Sequence, residues 1–377
     1  MRLFMKIKGW PRARDDESFT SWLWRCGLNA SCRKITEKNV ADYCEYGDRT
    51  SPLNSMFFDP DFDFENVVAE LFCEKFALPI KIVANFFAPT CHMVIDYVHR
   101  RNYCPKCIED DLKSHRFPSW KKSWSYSFVA CCKVHNYLLV PLNNEYFADS
   151  NKSWWAFTEI SNGMHCRFSC VRSYGGIRNE LLPIKITLAV QAWIELRLKE
   201  KARVLEFNIS SSAERLLRAY ETLLTIFLRA RSDKRCSGAA REVMNHGSDT
   251  INHHLYTYEE CLSLGISSAV PYHRMIALLM VAELFGLLDA GDLDELKEVS
   301  KLSYCKWASA EHELKVYKGF YVIDDYRAFL SLFEGFPVHI YDRCKAALCD
   351  AETFAYRYFN IMGPPRKQLK VGAPSTH

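Results

Sequence analysis

Apolar residues recur every three or four positions along several stretches of this chain, and each such stretch predicts an amphipathic helix. "PRARDDESFTSWLWRCGLNAS" sets Phe19, Trp22, Leu23 and Cys26 on one face, with Asp15, Asp16 or Ser18 placed to cap the helix start. "FENVVAELFCEKFALPIKIVANFF" predicts two helices broken at Leu78 and Pro79, the spacing of a helix-turn-helix or of an ordinary helical hairpin. Two longer helices are expected from "PIKITLAVQAWIELRLKEKARVL" and "SSSAERLLRAYETLLTIFLRARS". The second opens with serine caps and aligns Leu216, Tyr220, Leu223 and Phe227, leaving Arg215, Arg218, Arg229 and Arg231 outside that stripe. Residues 257–286 predict another helix-turn-helix, with a threonine cap, Gly265 as a left-handed stop, Ser267 or Ser268 as the next cap and Pro271 in the following first turn. After Met275 that second helix is so apolar that at least half of it belongs in a core.

Between residues 99 and 180 the helical period lapses into tryptophans, cysteines and short polar turns. "SWKKSWSYSFVA" alternates aromatic and polar residues and suits a strand. The expected fold is mainly α with a small zinc-stapled α+β module, helix-turn-helix-like units lying on both sides of a zinc finger or ribbon. The expected divisions are a helical domain at 1–98, the metal module at 99–180, a second helical domain at 181–362 and a flexible tail at 363–377.

Composition changes this picture little. Hydrophobic residues at 49% and aromatics at 14% exclude a mainly disordered chain. A formal charge of +4, from 49 basic and 45 acidic residues, says little about partners. Its distribution says more: Arg100, Arg101, Lys106, Lys113, Arg116, Lys121 and Lys122 crowd one segment, and arginines recur from 197 to 241, which permits nucleic-acid or acidic-protein contact. No signal-peptide pattern opens the sequence and no run of 18 apolar residues occurs, so a soluble, cytoplasmic protein with no membrane partner is expected. In that setting 16 cysteines are not a disulfide framework. Isolated ones such as Cys73, Cys261, Cys305 and Cys344 read as small core residues.

Four residues read differently. Cys104 and Cys107 form one pair two residues apart, Cys132 and His135 another, with 24 residues between the pairs. Such pairs let two tight turns offer four thiolate and imidazole ligands to one ion, and a closed shell leaves no position for reactive water. One structural zinc ion per chain is therefore expected, with Cys131 a competitor for the place of Cys132. The acidic run Asp15, Asp16, Glu17 reads as helix capping, because a two-metal site needs carboxylates converging from distant positions. His246, His253, His254 and His273 lack ligand spacing. No glycine-rich phosphate loop, nucleophile elbow or HExxH is present, which points to binding rather than catalysis.

The combination of "PRARDDESFTSWLWRCG", "YCPKC" and "WSYSFVACCKVHNYLLV" resembles the TniQ family of transposon target-selection proteins. The resemblance rests on Glu17, Ser18, Ser21, Trp22 and Arg25, then Cys104, Pro105 and Cys107, Trp124, and Cys132, His135, Leu138 and Leu139. Many members carry a second zinc site. Here "PLNNEYFADSNKSWW" holds no cysteine, and "HCRFSC" offers only His165, Cys166 and Cys170, so no second metal is assigned. The resemblance implies a non-catalytic adaptor, commonly a homodimer. It would link an RNA-guided CRISPR Cascade complex, with its guide RNA and target DNA, to a TnsC-like AAA+ ATPase and the transposase. Two alternatives are a TnsD-like protein that binds attachment-site DNA itself and, should the resemblance be accidental, a zinc-containing helix-turn-helix transcription regulator. Candidate contact residues for partner or nucleic acid are Arg116, Trp120 and Tyr126, then Arg229 and Arg231, although Trp120 and Tyr126 equally suit the core of a thin module.

Overall fold

Ser18 is the cap that the first helix uses: in the computed structural model its hydroxyl accepts from Ser21 N at 3.4 Å as α1 (Phe19–Leu28) begins. Asp16 and Glu17 do other work, described below. Residues 7–29, 32, 34–49, 58–142, 151–163, 181–207, 212–245, 251–302 and 309–359 are described by the structure. Among them are fifteen α-helices and only four two-residue strands, so the fold is mainly α as expected. The chain falls into two compact units, residues 1–172 and 173–377.

The first unit packs α1 against α2 (Glu37–Arg49), which in turn meets α3 (Val67–Lys75), and α3 meets α4 (Ile80–Phe87). Phe19 is its hub, with ring contacts to Trp22, Tyr43, Phe64 and Phe87 between 5.1 and 5.9 Å. The break between α3 and α4 is where the sequence puts it. Ala77 takes a left-handed φ of 51°, Leu78 N reaches back to Cys73 O at 2.8 Å and Ala77 N to Glu74 O at 3.0 Å, a Schellman stop.

Residues 99–163 of this unit hold α5 (Pro105–Lys113), α6 (Lys152–Ser161) and two antiparallel ladders. In one, β1 (Asn102–Tyr103) pairs with β4 (Val140–Pro141); in the other, β2 (Cys131–Cys132) pairs with β3 (Tyr137–Leu138). The aromatic spacer is not the strand its alternation suggested. It forms a 3-10 turn at Lys122–Ser125 flanked by single bridges, Glu17 to Lys121 and Val94 to Tyr126. Its tryptophans face inward instead: Trp120 and Trp124 meet edge to face at 5.3 Å, both buried.

Among its described residues the second unit has helices and no strands. Helix α11 (Pro271–Phe285) has fourteen buried residues and touches α7 (Leu181–Phe207), α8 (Ser212–Leu228), α9 (Ala239–Asn245), α13 (Ala310–Val316) and α15 (Val338–Phe359). The apolar run after Met275 is thus core. α10 (Tyr258–Ser268) opens with the Thr257–Glu260 capping box, and α12 (Ala290–Leu302) and α14 (Ile323–Ser331) complete the order.

Two expectations for this unit are corrected. Gly265 does not stop α10, which runs on to Ser268. It sits inside the helix because Leu228 O lies 2.5 Å from where its Cβ would be. The turn falls at Ala269 and Val270, both extended, Val270 being held there by the following proline, and no serine caps α11. Arg229, placed outside the apolar stripe by periodicity, is fully buried just past the end of α8. It donates to Tyr258 OH (2.9 Å) and to the carbonyls of Tyr317 (2.7 Å), Lys318 (2.8 Å), Cys236 (3.1 Å) and Ser237 (3.2 Å). Arg241 similarly donates to Leu228 O (2.7 Å) and Gly265 O (2.8 Å), carbonyls in the last turns of α8 and α10. Arg235 forms a buried two-point pair with Asp325 at 2.9 and 2.8 Å.

No single described helix is long and apolar enough to cross a membrane. Cys73, Cys261 and Cys344 are buried core thiols as expected. Cys305, His246, the run from His165 to Cys170 and the tail from residue 363 lie outside the described residues.

Gly238 tests how tightly α9 is drawn onto α8, since Phe227 O lies 2.3 Å and Ile226 O 2.5 Å from its missing Cβ. Gly238→Ala should cost about 1–3 kcal/mol by overpacking against backbone that has no side-chain freedom to move. The check is a lowered urea midpoint by circular dichroism, and an unchanged midpoint would show that the two helices can separate freely.

Candidate metal centre

Cys104 is the residue before α5, with Pro105 as the first helical residue, where a missing N–H costs nothing. Cys107 follows in the first turn, its N–H on Cys104 O at 3.1 Å. The second pair lies on the β2–β3 hairpin. There Asn136, with φ at 47°, closes the turn and the backbone N–H groups of Val134 and His135 point at Cys132 Sγ. The four ligand atoms, three sulfurs and His135 Nδ1, all lie within 4.8 Å of one another. Cys107 Sγ is 3.7 Å from Cys132 Sγ, and Nδ1 is 3.5, 3.3 and 3.6 Å from the sulfurs of Cys104, Cys107 and Cys132.

Those separations are the edges of a tetrahedron. Metal–sulfur bonds of about 2.3 Å at tetrahedral angles put sulfurs about 3.8 Å apart, with sulfur–nitrogen edges slightly shorter. The electrostatics agree. Hydrogen bonds from Cys104 and Cys107 hold the Cys132 thiol well below its ordinary value, while the Cys107 thiol is pushed far up by its bonds with Cys104 and Cys132 and by burial. A divalent cation bound among them would hold all three as thiolates. The four residues can therefore hold a metal ion.

Cys131 is not in the cluster. Adjacent residues of a strand face opposite sides, so pairing Cys132 with Tyr137 turns Cys131 away, into an interior that pushes its thiol up to about 12. The sequence did not reveal Asp110. Its Oδ2 lies 2.8 Å from His135 Nε2, an arrangement that fixes the ring with Nδ1 free for the ion. The only signal was its position three residues after Cys107, one helical turn along α5.

The remaining candidates fall in different places. Trp120 is 3% and Tyr126 4% exposed; Tyr126 OH accepts from Thr90 N at 2.8 Å and Thr90 Oγ1 at 3.0 Å. Both are interior packing residues, the bland one of the two roles open to them. Arg116 keeps 51% of its side chain exposed, 3.1 Å from Asp111. Arg229 is inside the second unit and Arg231 is half-buried.

The acidic run proves to be a clamp rather than a cap. Asp16 receives Ser123 N at 3.0 Å and Ser123 Oγ at 2.5 Å. Glu17, fully buried, takes Arg25 Nε at 2.7 Å and Nη2 at 2.6 Å as well as Arg14 N at 2.9 Å. Ser18 N donates to Trp120 O at 3.0 Å, and Trp120 N to Ser21 Oγ at 2.9 Å.

A family model described as TniQ matches residues 76–139, a span that runs from the end of α3 through α4 and α5 to the second knuckle and includes all four ligands. Over that span the chain is similar to the TniQ domain. This domain marks transposition-associated target selection and implies protein and DNA partners. The N-terminal entry lies outside the matched span but is hydrogen-bonded to it. No curated protein and no solved structure matches the chain.

Metal analysis by mass spectrometry should find about one ion per chain, lost in Cys107→Ser and kept in Cys131→Ser. Asp110→Asn should keep the ion but yield it to a chelator at about 10- to 100-fold lower concentration. Full metal content in Cys107→Ser, or its loss in Cys131→Ser, would contradict the ligand set.

Proposed function

We propose that the chain is a non-catalytic adaptor for transposition target selection, with zinc as its structural ion. In this reading it links an RNA-guided CRISPR surveillance complex, carrying guide RNA and bound to target DNA, to a TnsC-like AAA+ ATPase and the transposase. It does so in the cytoplasm, as a homodimer. The observation that carries the reading is the TniQ match over the segment whose four ligands close on one point. Zinc is the ion that three thiolates and one imidazole in a closed tetrahedron suit best. A closed site contributes folding energy and leaves the strand chemistry to partners. Residues 1–98 and 99–180 are taken as one working body, because the Asp16–Ser21 segment is bonded to residues 120–123. Residues 181–362 form a separate helical domain.

Direct reading of attachment-site DNA is the second possibility, and one observation favours it. Helix α4 follows a helix-turn-helix stop and exposes Lys81, Ile82 and Asn85 on one side. The other helix-turn-helix offers less, since α11 is almost wholly buried.

The test is retention on immobilised protein of the ATPase and of the guide complex encoded alongside it. Both should be retained, and duplex DNA should bind the chain alone only weakly, with affinity falling steeply with salt. Failure to retain either partner would end the adaptor reading. Nanomolar, sequence-selective duplex binding near physiological salt would replace it with direct recognition.

A further inference from the structure

Helix α6 exposes a tryptophan that the packing does not consume. Trp154 is 41% exposed, with Phe117 stacked on one face at 5.9 Å and 5° and Phe157 against it at 5.0 Å. Phe117 is itself packed against the first unit's core, and its carbonyl is held by Arg14 Nη1 at 2.7 Å, so the ledge is rigid. With both rings against it, Trp154 still leaves a large part of its indole exposed.

Charge says what suits that surface. Arg116, next to Phe117, shares Asp111 with Arg14, two guanidiniums on one carboxylate. The other α5 carboxylates are engaged, Glu109 with Lys113 at 3.6 Å and Asp110 with His135. The one carboxylate of α6, Glu159, is buried and accepts from Tyr103 OH at 3.0 Å. His115 and Lys113 are exposed beside Arg116. Among the described residues, the two guanidiniums on the single Asp111 carboxylate leave an excess of positive charge beside the exposed aromatic ledge.

We propose that the Phe117–Trp154 ledge beside Arg116 binds unpaired nucleic acid, one base stacking on the exposed part of the Trp154 indole and a neighbouring phosphate meeting Arg116. Every base has a π-face, so the site tolerates any sequence. It requires an unstacked base, so paired duplex does not fill it. The proposal stands apart from recruitment of the ATPase, which a protein lacking this site would retain.

The experiment is fluorescence anisotropy of the full chain with a fluorescein-labelled oligothymidylate and, separately, with a duplex. Trp154→Ala should weaken single-strand binding by about fivefold to about 150-fold, and Trp154→Phe should recover most of it. Arg116→Gln should reduce the salt slope by about one phosphate contact. Circular dichroism and metal content report that each variant is folded. Should Trp154→Ala fail to fold, photocrosslinking of a bromouracil oligonucleotide to the unmodified chain decides, with the adduct expected on α6. An unchanged affinity in folded Trp154→Ala, equal binding of the duplex, a crosslink confined to other elements, or loss of a protein partner with oligonucleotide binding intact would each overturn the proposal.

Discussion

Three sulfurs and an imidazole nitrogen held at tetrahedral edge lengths are a constraint that the backbone around them is too slight to maintain. Strands β2 and β3 are two residues each, and β1 and β4 are no longer. Ladders of that size are not stable alone. α5, of nine residues, is below the length at which a helix holds itself in water. What keeps the hairpin against the start of α5 is the convergence of the ligands, and a bound dication turns that convergence from a cost into an attraction. Asp111, at the far end of α5, anchors Arg14, Arg116 and Ser119, and through them the loop that leads into Trp120.

The N-terminal segment is the second half of the same device. Backbone bonds join Ser18 to Trp120 and Lys122 to Asp16, at 3.0 and 2.6 Å, so the chain entry and the spacer between the knuckles form one short irregular ladder. Glu17 beneath it is a buried charge. Such a group persists only when paired and fully bonded, and Arg25, Arg14 N and Ser21 Oγ supply that. Removal of Arg25 would strand a carboxylate in the interior. The resemblance named Glu17, Ser18, Ser21, Trp22 and Arg25 alongside the distant metal ligands, and the hydrogen bonds explain why they travel together: the motif closes the module's open side.

How much of this could be read in advance follows from what each signal encodes. Periodicity exposes an apolar face, so α1, the α3–α4 break, α7, α8 and the core half of α11 were legible, as was the clustering of Cys104, Cys107, Cys132 and His135 from their spacing. Alternation misled over the spacer, because aromatic residues packed inward from a 3-10 turn produce the same pattern as a strand. Gly265 was misread for a related reason. A glycine needed for close approach and one needed for a positive φ look alike in sequence, and only the Leu228 carbonyl beside it tells them apart. Asp110 and the Glu17 clamp depend on contacts between residues about 25 and 100 positions apart, which no local pattern carries.

Cations were the least legible residues of all, and their placement bears on function. In the basic run from Arg100 to Lys122, Arg100 is buried against Asp59 and Asp61. Lys122 donates to Phe86 O and Ala88 O at 3.1 and 3.2 Å, closing the end of α4. In the second unit Arg229, Arg235 and Arg241 are all interior, tying carbonyls and a carboxylate together. A guanidinium's fixed fork of donors suits it to the crowded carbonyls of helix ends, so arginines near such ends are as apt to be staples as contact residues. Once the staples are set aside, the exposed basic groups of that run are Lys106, Lys113, His115 and Arg116, on α5 and the turn after it. That is the element the metal ligands position. An ion held by those ligands would fix the orientation of α5, and with it the exposed basic groups on α5 and just past its end.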